Sequence, residues 1–193
     1  MPAIEKIALF GGTFDPIHEG HVEVARRAVD HLALDQVIFL PCRQSPHKED
    51  SAGASGMQRL EMIKLAIRDH PWARVDDWEL QEPGISYSWR TAEVFKQRYP
   101  EAALYWLMGR DQWQVFETWN RADYLARLVE FIVHDREGSA KEGQYAAHFV
   151  AGEHPASATE IRQAIAKGRK IPAGWLAPQV ETYLRQKGLY RSE

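Results

Sequence analysis

Between residues 11 and 21 the chain reads Gly-Gly-Thr-Phe-Asp-Pro-Ile-His-Glu-Gly-His, and this run constrains the fold more than any other part of the sequence. It follows an apolar stretch of strand length, residues 4–10, and precedes Val22, Ala25, Val29 and Leu32 at helical spacing. Gly11 and Gly12 are expected to end the strand with flexible backbone, and the helix is expected to begin at Gly20. A second apolar run, residues 36–40, supplies the next strand. Strand, glycine-bearing turn, helix and strand together make a βαβ unit.

The alternation continues. Residues 41–56 mix Pro, Gly, Ser and charge without periodicity and are expected to loop, after which Met57, Leu60, Ile63 and Ile67 mark a helix. Residues 75–80 read as a strand, 88–98 as a helix, and 103–108 and 128–133 as buried strands. Residues 111–127 read as short helices carrying Trp113, Phe116, Trp119 and Tyr124. A polar loop over 137–143, a brief strand over 147–150, a helix capped by Thr159 and a final amphipathic helix through Leu176, Val180 and Leu184 complete the pattern. The prediction is an α/β fold, an open and mostly parallel sheet flanked by helices, with a small helical C-terminal portion. No repeat or long linker divides residues 1–193, which are expected to form a single domain.

Composition removes several classes of function. Lys and Arg number 24 against 27 Asp and Glu, a formal charge of −3, so no nucleic-acid partner is expected. The one cysteine, Cys42, excludes an intrachain disulfide. No apolar run has bilayer length and the first residues lack a secretory segment, so a soluble cytoplasmic protein without a membrane partner is expected. Homo-oligomerisation is left open.

The chemistry concentrates in three motifs. His18 and His21 fall near a helix start, where free N–H groups and the helix dipole attract phosphate. No third ligand at metal spacing joins them, so no protein-held metal is expected. Pro46-His47-Lys48 places a cation in the loop after the second strand, suited to neutralising a triphosphate. Ser157-Ala158-Thr159-Glu160-Ile161-Arg162 can cap a helix while Arg162 adds a charge-assisted fork.

Taken together, these stretches resemble the bacterial nicotinate-nucleotide adenylyltransferase family of the nucleotidylyltransferase superfamily, which implies a Rossmann-like fold of nucleotidylyltransferase type. The resemblance implies adenylyl transfer from ATP, with Mg2+, to nicotinate mononucleotide, giving deamido-NAD and pyrophosphate. It gives His18, His21, Lys48 and Arg162 as catalytic residues. Gly11, Gly12, Thr13, Phe14, Gly109, Asp111, Ser157 and Thr159 join them around ATP. Tyr87-Ser88 matches the family's Tyr-Thr pair, and Trp119 its pyridine-stacking aromatic residue. Backbone N–H groups near Ser88 and Asn120 would hold the substrate carboxylate, with Arg136 nearby. The terminal Gly188-Leu189-Tyr190 is similar to the family's usual ending. Asp15 is read as a turn fastener or a site residue, and Asp111 as an organiser or a sugar contact. The residues leave open nicotinamide mononucleotide, phosphopantetheine or another phosphorylated acceptor, and a nucleotide-binding regulatory protein without turnover.

Overall fold

Strand β1 (Lys6–Gly12) buries Ala8 and Phe10 in one apolar cluster and Ile7 and Leu9 in another. A strand apolar on both faces is satisfied only inside a sheet covered on both sides. The computed structural model, which describes residues 5–45, 53–135 and 144–191, has that architecture. After β1 come α1 (Glu19–Leu32), β2 (Gln36–Pro41), α2 (Gly56–Ile67), β3 (Ala73–Val75), α3 (Trp78–Gln81), α4 (Ser88–Arg98) and β4 (Ala103–Gly109). There follow α5 (Arg110–Gln114), a 3-10 turn (Phe116–Thr118), α6 (Ala122–Leu128), β5 (Glu130–Asp135), β6 (Ala147–Ala151), α7 (Ala158–Ala166) and α8 (Pro178–Lys187).

The six strands lie in the order β3-β2-β1-β4-β5-β6, and every neighbouring pair is parallel. The expectation of a mostly parallel sheet flanked by helices is met. One face packs Val22 and Ala25 of α1, Met62 and Ile63 of α2, Ile161 of α7 and Val180 and Leu184 of α8 against Phe39, Tyr105 and Leu107. The other packs Phe95 of α4, Trp113 of α5 and Leu125 of α6 against Leu104, Trp106 and Met108. From β1 the chain builds outward through β2 and β3, then returns to add β4 on the opposite side. The two halves diverge at the carboxyl ends of β1 and β4, where a doubly wound sheet leaves a crevice.

Several boundaries differ from the sequence reading. Gly11 and Gly12 lie within β1 and neither has a positive φ; the left-handed residue of the turn is Phe14, at φ 50°. The strand expected over 75–80 pairs only through Val75. Asp76 Oδ1 then accepts the Trp78 N–H at 2.9 Å and turns the chain into α3. Met57 points outward at 65% exposure, and Met62 occupies the buried stripe of α2 instead. Ser157, rather than Thr159, caps α7, its Oγ accepting the Glu160 N–H. The polar loop expected over 137–143 lies outside the described residues. Among the described residues no helix is long and apolar enough to cross a membrane.

Candidate active site

A cleft of about 490 Å³ opens at the carboxyl ends of β1 and β4. Its floor is the β1 exit, Gly11 to Asp15, with Gly109 at the end of β4, Gln112 in α5 and His134 near the end of β5. The glycines are required here for lack of a side chain. A Cβ on Gly11 would meet Trp106 Cζ2 at 3.0 Å, and one on Gly12 would meet Phe14 Cζ at 2.9 Å. The backbone therefore forms an open floor that a ligand can approach closely.

His18 is the N-cap of α1, and its imidazole stacks on that of His21, with ring centroids 3.7 Å apart. His21 lines the cleft and His18 lies behind it. His21 Nδ1 accepts the His18 N–H at 3.3 Å, so the proton of a neutral His21 imidazole sits on Nε2. Burial, with neighbouring His154 adding, pulls the His18 pKa down to about 4. His18 is thus neutral near pH 7, and its buried Nδ1 has no hydrogen-bond partner among the described residues. A Cβ on Gly20 would lie 3.0 Å from that atom and 3.4 Å from His154 Nδ1.

Arg162 closes the same wall from α7. Its Nη1 donates to the Asp15 carbonyl at 2.7 Å and its Nη2 to Thr159 Oγ1 at 3.4 Å, which aims the guanidinium along the cleft. Asp15 is 8% exposed and fastens the turn: its Oδ1 accepts the Ala54 N–H at 2.9 Å and the Tyr190 hydroxyl. Buried Arg59 of α2 spans two strand exits, donating to the Thr13 carbonyl at 2.7 Å and the Cys42 carbonyl at 2.8 Å.

The opposite wall comes from the segment before α4 and the strap before α6. Ser86, Ser88 and Trp119 line it, with Phe116 against Trp119 at 5.5 Å between ring centroids. Glu79, 4% exposed, sits beneath and accepts the Thr91 hydroxyl at 2.6 Å. Burial raises its carboxyl pKa, against hydrogen bonds from Thr91 and Ser86 that lower it. Ser86 also accepts the Arg43 N–H and donates its own N–H to Gln44, which ties this wall to the β2 exit.

Of the residues expected from sequence, Gly11, Gly12, Thr13, Phe14, His21, Ser88, Gly109, Trp119, Thr159 and Arg162 line the cleft, and His18 backs His21. Tyr87, Asp111, Asn120 and Ser157 are not among the lining residues, and Asp111 and Asn120 are exposed. Lys48 and Arg136 lie outside the described residues. Arg59, Glu79, Gln112 and His134 were not singled out. Arg59 had a legible signal, a charge three and four residues before buried Met62 and Ile63 on one helical face. Buried Asp135 is ion-paired with Arg110 at 3.3 Å.

Two stacked imidazoles, a held guanidinium and an open glycine floor suit a polyphosphate; an indole opposite a helix start suits a flat ring bearing an anion. Known proteins agree. The cytidylyltransferase-like family profile matches residues 9–164. The chain is 36% identical to the probable nicotinate-nucleotide adenylyltransferase of Neisseria meningitidis serogroup B, over 97% of this chain and 99% of the relative. It is 36% identical to the nicotinate-nucleotide adenylyltransferase of Bacillus subtilis, over 98% of this chain and 100% of the relative. Its fold is similar to that of Plasmodium falciparum nicotinic acid mononucleotide adenylyltransferase complexed with NaAD. The TM-score is 0.79 at 18% identity, covering 96% of this chain and 97% of that one.

Proposed function

The chain belongs to the cytidylyltransferase-like family and stands with its nicotinate-nucleotide adenylyltransferases, and from that membership we propose how its cleft transfers the adenylyl group of ATP to nicotinate mononucleotide. One observation carries the reading: His21, backed by the stacked ring of His18, and Arg162 face Ser88 and Trp119 across a single cleft at the β1–β4 divergence. The triphosphate lies over the Gly11–Gly12 floor, and the pyridine ring lies against Trp119. The ring carboxylate takes backbone N–H groups near Ser88 and Asn120.

An oxygen of the acceptor's 5′-phosphate forms a bond to the α-phosphorus of ATP, in line with the bond that breaks. The bridging oxygen departs with its electron pair on pyrophosphate. The nucleophile is already ionised near neutral pH, so no general base is needed. His21 Nε2–H donates to the α-phosphate oxygens as charge shifts, while His18, neutral and stacked behind, fixes the ring's direction. Arg162 holds the β,γ-phosphates, joined by Lys48 from the loop after β2. Arg136 adds charge near the acceptor.

A divalent cation would arrive on ATP oxygens and water rather than in a protein cage. Mg2+ so carried would supply charge neutralisation to the leaving pyrophosphate. Residues 1–193 act as one nucleotidyltransferase domain in the cytoplasm.

The test is pyrophosphate release from ATP and Mg2+ with nicotinate mononucleotide, nicotinamide mononucleotide, phosphopantetheine or no acceptor, with the product identified by mass. Release chiefly with the nicotinate compound, yielding deamido-NAD, is expected. Preference for another compound would overturn the acceptor assignment. Silence with all of them while ATP still binds would favour a regulatory protein.

A further inference from the structure

We propose that Trp89 is a positioning residue for the acceptor, holding the strap at Trp119–Asn120 at a fixed distance from the start of α4. The inference rests on the acceptor reading of the cleft given above. Ser88 and Trp119 face the same space, yet they are 31 positions apart and belong to different elements, so something must set the gap between them. The immediate neighbours of both do so. Trp89 Nε1 donates to Asn120 Oδ1 at 2.9 Å, joining residue 89 to residue 120 just outside the cleft.

Two further contacts press on the same indole. The Arg121 guanidinium lies 4.4 Å from the Trp89 ring centroid, and the Tyr124 ring meets it edge-on at 6.1 Å. Arg121 adopts φ 55°, a left-handed conformation that a non-glycine residue keeps only where its surroundings require it. That turn lets the chain leave Trp119 and enter α6 while Asn120 and Arg121 both stay on Trp89. One turn further on, the Tyr124 hydroxyl donates to Glu93, clamping α4 to α6.

The consequence is specific to one substrate. The clamp touches neither the glycine floor nor the His18–His21 stack, so loosening it should widen the slot for a flat ring and leave the triphosphate side in place. Small errors in placing a reacting group weaken its productive binding strongly.

The experiment measures KM for nicotinate mononucleotide, KM for ATP, kcat and Tm for the wild type, Trp89→Phe, Asn120→Leu and their double variant. Trp89→Phe and Asn120→Leu should each raise KM for nicotinate mononucleotide about three- to tenfold, the worth of one hydrogen bond, with KM for ATP and kcat changed less than twofold. The double variant should be no worse than the worse single variant. Equal rises in both KM values, unchanged KM values, or additive effects would overturn the proposal. If Trp89→Phe fails to fold, Asn120→Leu, which removes the same hydrogen bond from the other side, decides alone through its split between the two KM values. A wild type that ignores nicotinate mononucleotide removes the acceptor reading and this proposal with it; a responsive wild type with indifferent variants removes only this proposal.

Discussion

The Tyr190 hydroxyl donates to Asp15 Oδ1 at 2.5 Å, so the C-terminal end of the chain holds the turn that follows the first strand, 175 residues away. Burial and the Asp15 carboxylate both raise the tyrosine pKa, so the phenol stays protonated and donates throughout the neutral range. Asp15 also receives Ala54, and its carbonyl receives Arg162, so the bond belongs to a cluster that reaches the cleft.

Tyr190→Phe removes one charge-assisted hydrogen bond and leaves the ring in place. A loss of about 1–3 kcal/mol in unfolding free energy is expected by urea denaturation, with a rise in KM for ATP. Wild-type stability and wild-type KM together would show that Asp15 does not depend on the tail.

His18 sets a pH dependence. Its folded pKa is about 4 and its ordinary value 6.5, so between these the unfolded chain binds a proton that the folded chain does not. Stability attributable to His18 is full above pH 6.5 and is lost as pH falls toward 4, by about 1–3 kcal/mol. His18→Asn should flatten that part of the curve in denaturation runs from pH 7 to pH 4. A variant whose stability falls as steeply as the wild type would refute the assignment.

Gly12→Ala tests the open floor. The added methyl meets three Phe14 ring atoms at 2.9–3.2 Å, and Phe14 is buried at 3% exposure with little room to retreat. Destabilisation of about 1–3 kcal/mol and weaker ATP binding are expected from thermal melts and calorimetry. Gly109→Ala is the control in the melts, since nothing lies within 4 Å of its Cβ; it should stay within about 0.5 kcal/mol.

Arg59→Met should be among the more damaging single changes outside the cleft lining. It leaves the Thr13 and Cys42 carbonyls without the guanidinium that joins them, and Lys cannot span both. A loss of about 2–4 kcal/mol is expected for Met, with Lys recovering only part of it, measured by urea denaturation.

The alternation of apolar runs with helical stripes was enough to expect the parallel sheet, because a βαβ unit has few ways to bury both faces of its strands. Boundaries failed where a side chain overrode local pattern, as at Asp76, whose bond to the Trp78 N–H ends β3 early. Gly11 and Gly12 stand where a glycine is expected, but for a different physical reason. The sequence suggested backbone freedom, while the structure shows crowding by Trp106 and Phe14 that no local pattern encodes.

By itself the sequence marked His18, His21 and Arg162 as candidates for a phosphate site, the histidines at the start of α1 and the arginine one turn into α7. It also determined the fold class, through periodicity. Tertiary structure alone decided what holds the cleft walls: Arg59 across two strand exits, Tyr190 on Asp15, Glu79 between Thr91 and Ser86, Trp89 on Asn120. Periodicity is a local property that follows from backbone geometry. A hydrogen bond between residues up to 175 positions apart exists only once the sheet has brought their elements together, and one chain read in order carries no mark of it.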